Sequence, residues 1–140
     1  MKILVAADGS TYTKRMLAYL AAHDEWLGPA HQYTVVHSTP DIPPRAKAYF
    51  DRETLKSYSE NEFEKVFKPI RTFFKRHAME VTFAGKSGPA ADVIGALAQQ
   101  GQFDLLVMGS HGHGALSGLV MGSVVTKVMA SCSTPILIVR

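Results

Sequence analysis

The chain has 140 residues, 46% of them hydrophobic and 19% charged, with a formal net charge of +3. That length suits one domain closing a single core, and the balance of residues excludes a disordered chain. The basic residues are scattered, and the densest group, Lys65, Lys68, Arg71, Lys75 and Arg76, falls at helical spacing, which reads as a solvated helix face rather than a nucleic-acid footprint.

The first strand runs from Lys2 to Ala7, apolar after its lysine and stopped by the turn residues Asp8-Gly9-Ser10. This run is too short for a signal peptide, and no stretch reaches membrane-spanning length, so a cytoplasmic protein without a membrane partner is expected. Ser10 or Thr11 suits the cap of a helix whose apolar positions Met16, Leu17, Leu20 and Ala21 recur at helical spacing. Gly28-Pro29 ends that helix, and Trp26 with Leu27 reads as its packing. Gln32 to Ser38 is a second strand, stopped by Pro40. From Asp41 to Ser59 the pattern is weak, and Pro43-Pro44 breaks regular structure. An amphipathic helix resumes with Phe63, Val66, Phe67, Ile70 and Phe74 on one face. Pro69 lies inside it, removes one backbone hydrogen bond and should bend it. Its phenylalanines read as core, not as a platform for stacking bases.

Glu80 to Gly85 is a third strand, and Gly88-Pro89 opens a helix with Val93, Ile94, Leu97 and Ala98 facing inward, closed by Gly101. Phe103 to Met108 is a fourth strand, followed by a glycine-rich stretch to Gly122. A short helix from Ser123 to about Ala130 leads to the last strand, Ile136-Leu137-Ile138-Val139. Cys132 is the single cysteine, so no internal disulfide forms and a reducing compartment is expected; its small neighbours give it a packing role.

Strand–helix alternation with near-continuous apolar strands predicts an α/β fold, a parallel sheet covered on both faces with right-handed crossovers. In such sheets ligands bind beyond the carboxyl ends of the strands, where the strand order reverses. Two loops at strand ends carry suitable residues, Asp8-Gly9-Ser10 and the stretch from Gly109. If their strands are neighbours, both loops rim one crevice.

Residues Gly109 to Ser123 hold five of the chain's eleven glycines. Without Cβ atoms, backbone N–H groups can converge on a phosphate, and a following helix N-terminus adds unpaired donors and a favourable dipole. Glycine content alone leaves a phosphate cradle and a plain connector equally open. A Walker-type loop is absent, because Gly85-Lys86-Ser87 lacks its first glycine. The dinucleotide fingerprint fails at Ser117, where the third glycine belongs, and no nucleophile elbow surrounds Ser110 or Ser117. His111 and His113 alternate on the loop without a third ligand nearby in sequence, which argues against a metal site. Asp8 lacks the acidic neighbour of a phosphoacceptor and reads as a hydrogen-bonding carboxylate.

The spacing Gly109-x2-Gly112-x9-Gly122-Ser123 resembles the nucleotide-binding signature of the ATP-binding branch of the universal stress protein family. At a glycine frequency of about 7%, a chance match in a chain of this length is below about 1%. The resemblance extends from Asp8-Gly9-Ser10 to the closing Pro135-Ile136-Leu137-Ile138-Val139, across the whole chain as a single domain. It implies a three-layer, Rossmann-like sheet of five parallel strands in the order 3-2-1-4-5, of the adenine nucleotide alpha hydrolase-like type. It implies ATP, ADP or AMP as ligand, with magnesium or manganese carried on the phosphates. It assigns Gly109, Gly112, Gly122 and Ser123 to the phosphates and ribose, helped by His111 and the backbone of Val124 and Val125. Met108 would lie beside the nucleotide, Asp8 with Ala6 and Ala7 would meet the adenosine, and Ser38 would border the adenine, where family members often have an apolar residue. It also implies a homodimer joined through residues 136–139 and an unidentified protein partner.

Three functional classes follow: a nucleotide-binding stress-response regulator, a slow ATPase, or a nucleotide-free interaction module. The retained glycines favour the first. The absence of a placed general base, of a lysine in the loop and of an acidic pair disfavours the second.

Overall fold

In a computed structural model of the chain, residues 1–114 and 118–140 are described; the part of the glycine-rich stretch formed by Ala115, Leu116 and Ser117 lies outside them. The elements are β1 (Lys2–Ala6), α1 (Thr11–Ala22), α2 (Asp24–Leu27), β2 (Gln32–Thr39), α3 (Pro44–Lys47), α4 (Arg52–Arg76), β3 (Val81–Ser87), α5 (Ala90–Gln100), β4 (Leu105–Gly109), α6 (Ser123–Ser131) and β5 (Ile136–Val139). The five strands form one sheet in the order β3-β2-β1-β4-β5, and every pair is parallel. This is the predicted order. β1 lies between β2 and β4, with Leu4 opposite Thr34 on one side and Leu106 on the other.

Alternation along the strands sends side chains to two cores. Ile3, Val5, Tyr33, Val35 and Val107 meet Met16 and Leu20 of α1 and Phe67, Ile70 and Phe74 of α4. Leu4, Val36, Leu106 and Met108 meet Ala91, Ile94 and Ala98 of α5 and Val125 and Val128 of α6. Helices therefore cover both faces, and β1 is apolar throughout its centre because both of its faces are buried.

Three local readings change. The first helix stops at Ala22, not at Gly28-Pro29: the His23 ring bonds the Tyr19 carbonyl at 2.9 Å and stacks on the Tyr19 ring, and α2 begins afresh at Asp24. Trp26 is an exposed residue, 41% accessible, while Leu27 alone is buried. The weakly patterned segment before Ser59 contains α3 and the first turns of α4, which starts at Arg52 because the Asp51 carboxylate accepts the Thr54 N–H at 2.6 Å. α4 continues through Pro69, an exposed position, to Arg76.

Candidate functional site

The carboxyl ends of β1, β2 and β4 open on a cleft of about 330 Å³, within the range of small-ligand sites. It lies where the chain, having built β2 and β3 on one side of β1, returns to place β4 on the other, the switch point at which open α/β sheets hold ligands. Every residue nominated from the sequence lines it: Ala6, Ala7 and Asp8 after β1, Ser38 on β2, Met108 and Gly109 on β4, His111 and Gly112 in the loop, and Gly122, Ser123, Val124 and Val125 at the start of α6. Thr13, Val36, His37, Ala90, Ile94, His113, Gly114 and Leu119 also line it. Most of these carry no local signal, since the fold alone brings α1, β2 and α5 to this end; His113 and Gly114 stood within the glycine loop but outside its motif.

Asp8 organises the first loop. Its Oδ1 accepts the Ser10 N–H at 2.9 Å and the Thr13 hydroxyl at 3.0 Å, and Gly9 takes the positive φ of 78° that this tight turn requires. The second loop is fastened to it: the His113 N–H donates to Asp8 Oδ2 at 3.2 Å, and His113 Nε2 donates to the Asp8 carbonyl at 2.7 Å. Burial disfavours the Asp8 charge, but the hydrogen bonds from Ser10 and Thr13 and the neighbouring His113 together outweigh it and hold the carboxyl below its ordinary value. A Cβ on Gly112 would stand 2.7 Å from Asp8 Oδ2, so this glycine is needed for the two loops to meet.

The glycine-rich loop is also braced within itself. Ser110 is buried, its N–H donates to the Val139 carbonyl and its carbonyl accepts the Gly122 N–H, both at 2.8 Å. His111 Nε2 lies 2.9 Å from the Leu119 carbonyl, which can only accept, so Nε2 carries the proton and Nδ1 accepts from the Ser110 hydroxyl at 2.9 Å. Both ring nitrogens of His111 are thus spent on the loop. The Ser38 hydroxyl is likewise committed, donating to the Gly88 carbonyl at 2.6 Å, and His37 Nδ1 donates to the Ala7 carbonyl at 2.8 Å.

At the start of α6 the capping residue, Gly122, brings no side chain to the first-turn N–H groups. Ser123, Val124 and Val125 line the cleft there, where an anion would find unpaired donors and the positive end of the helix dipole. Val36, Ile94, Met108 and Val125 supply an apolar part suited to a flat ring. Among the described residues no group of three His, Cys, Asp or Glu is placed to hold a metal ion.

A family model described as the universal stress protein family matches residues 1–140. A universal stress protein of Thermus aquaticus is 33% identical over 144 residues, covering 99% of this chain and 97% of that protein. Two solved structures share the fold. The universal stress protein UspA from Lactobacillus plantarum superposes with a TM-score of 0.78 at 17% identity, over 100% of this chain and 97% of that one. The universal stress protein from Archaeoglobus fulgidus in complex with dAMP does so with a TM-score of 0.70 at 19% identity, over 100% and 98%.

Proposed function

The chain belongs to the universal stress protein family, and from that premise we propose that it is an adenine-nucleotide-binding regulatory protein of the ATP-binding branch. The observation that carries this reading is the single cleft in which the glycine-rich loop and Asp8 face each other across the β1–β4 boundary. Its apolar part takes the adenine, and the Gly122–Val125 turn takes the phosphates of ATP, ADP or AMP, with magnesium or manganese carried on the phosphates. The dAMP held by the Archaeoglobus fulgidus relative is the same chemical class.

Occupancy would alter partner choice in a cytoplasmic stress response; among the described residues no helix is long and apolar enough to cross a membrane. Among the described residues Asp8 is the one carboxylate lining the cleft, and it is committed to hydrogen bonds, so hydrolysis is slow or absent. β5 is an edge strand with Ile136, Leu137 and Ile138 only partly buried, which supports a homodimer through residues 136–139.

Equilibrium binding to purified protein tests the reading. Adenine nucleotide should bind to the natural chain, and Ser123→Leu, at an exposed position, should abolish binding without unfolding the protein; Gly122→Val, whose Cβ would stand 3.2 Å from the His111 backbone, should abolish it too by displacing the loop. No binding at millimolar nucleotide would end the proposal.

A further inference from the structure

α4 packs on β2 and β3 only along its later part. Its side chains enter the core through Phe63, Val66, Phe67, Ile70 and Phe74, and among the described residues none from Arg52 to Glu62 belongs to either core cluster. These first turns nevertheless carry one ordered side. Asp51, Thr54, Tyr58, Glu62 and Lys65 follow one another at spacings of three, four, four and three residues, which places them on one side of the helix. Lys65 bonds Glu62 at 2.5 Å, and that bond, with a smaller contribution from Tyr58, raises the Lys65 ammonium above its ordinary value. Asp51, Thr54, Tyr58 and Lys65 are exposed and Glu62 is half-buried. Tyr49 and Phe50 adjoin the end of this side at Asp51, and with Tyr58 they are 85%, 55% and 58% accessible.

The spacing reads the same in both directions from Tyr58, and the chemistry does not: an acid stands at one end and a base at the other. A parallel pair of such helices would set Asp51 beside Asp51 and Lys65 beside Lys65. An antiparallel pair sets Asp51 of each copy opposite Lys65 of the other, Thr54 opposite Glu62, and Tyr58 opposite Tyr58. We propose that this side of α4 is a self-association surface on which two copies of the chain pair antiparallel about a two-fold axis at Tyr58. Such a contact is isologous and closes on itself. Asp51 spends Oδ1 on the Thr54 N–H and turns Oδ2 to the lysine; Glu62 holds Lys65 with Oε1 and accepts the opposite Thr54 hydroxyl with Oε2. A buried aromatic side chain covers about 150–250 Å², so the exposed parts of six rings supply roughly 600–1,000 Å², most of what the smaller stable interfaces bury. The surface lies over β2 and β3, away from the β5 edge, so it is independent of pairing through residues 136–139, and with both contacts present the chain assembles beyond a dimer.

Analytical ultracentrifugation of the full chain, from micromolar to near-millimolar concentration, tests the pairing. Tyr58→Glu removes the two central rings and sets two carboxylates face to face, so association through α4 should weaken by on the order of tenfold or more. Lys65→Glu turns both Asp51–Lys65 contacts into like-charge pairs; the loss should be severalfold and should shrink as salt is added. Both positions are exposed, so both variants should keep the circular dichroism of the natural chain. Lys75→Glu makes the same charge change at an exposed position of α4 outside the ordered side and should leave association as it was. Association unchanged in both Tyr58→Glu and Lys65→Glu would overturn the inference and leave pairing through residues 136–139 standing, and equal weakening by Lys75→Glu would overturn it by reducing the effect to net charge. A natural chain that stays monomeric throughout would overturn both contacts. Nucleotide binding enters none of these outcomes, so this surface and the proposed function fail separately.

Discussion

The sheet face under α1 and α4 is filled by large rings, whereas the face under α5 and α6 is packed with alanine, valine and isoleucine and gapes at its carboxyl end. On the first face the rings pack in pairs, with Phe67 and Phe83 centroids 4.9 Å apart and Tyr33 and Phe74 5.2 Å apart. On the second, Ala6, Ala84, Ala90, Ala91 and Ala98 leave room between the helices, and the apolar lining of the cleft comes mainly from that cluster. One layer supplies stability through volume, and the other supplies a site by leaving volume unfilled. The two faces should then respond oppositely to mutation: stability without binding on one, binding with modest stability on the other.

The largest effect is expected on the aromatic face. Phe74 is fully buried, and Phe74→Ala removes its contacts and leaves a cavity, at a cost of about 3–5 kcal/mol. For a domain with a total stability of roughly 5–15 kcal/mol, that is a large share. Denaturant unfolding should show the loss, while the nucleotide affinity of the molecules that remain folded stays within about twofold of the natural chain, since an additive, distant change has no shared partner with the cleft. A large fall in affinity would erase the distinction between the faces.

Gly112→Val probes the other side. Its Cβ would meet Asp8 Oδ2 at 2.7 Å, forcing the carboxylate away from Ser10, Thr13 and His113. Overpacking of this kind costs about 1–3 kcal/mol, less than the cavity above, but nucleotide binding should be lost because both rims of the cleft shift. Retained binding would mean that the meeting of the two loops is incidental to the site.

The same contrast explains what was readable from the amino-acid order. Strands buried on both faces announce themselves as unbroken runs such as Ile3-Leu4-Val5, and the family resemblance then fixes the strand order. The glycine spacing located the half of the cleft that is contiguous in sequence. The start of α4 escaped because it rests on one capping carboxylate, Asp51, with exposed residues after it and no apolar stripe. The end of α1 escaped because a single His23 ring took the Tyr19 carbonyl. Thr13, His37 and Ile94 join the cleft only through tertiary placement, so no local pattern could nominate them. In the sequence His113 stands out only as one of two alternating histidines; its two bonds to Asp8 span 105 residues of sequence, a distance over which spacing carries no information.

The smallest expected effect is the pH response of Asp8, and it tests whether the rim of the open face is itself held by that carboxylate. The folded carboxyl titrates below its ordinary value, so between the folded and unfolded values the unfolded chain binds more protons than the folded one, and stability rises with pH. The contribution is complete above about pH 4 and disappears as pH falls through the depressed folded value. Asp51 and Glu64 are lowered too, so the absolute acid limb of the natural chain mixes several groups. Asp8→Asn separates them. The amide keeps the shape but weakens the acceptor for Ser10, Thr13 and His113, so the variant should be less stable near pH 7. Measured by urea unfolding across pH 2 to 7 (roughly the range over which carboxylates titrate), the two curves should converge at the acid end, where the natural carboxyl is itself protonated. Parallel curves would show that the ionised carboxylate does not fasten the loops, and the rim would then have to be held by the Ser110, His111 and Gly122 bonds alone.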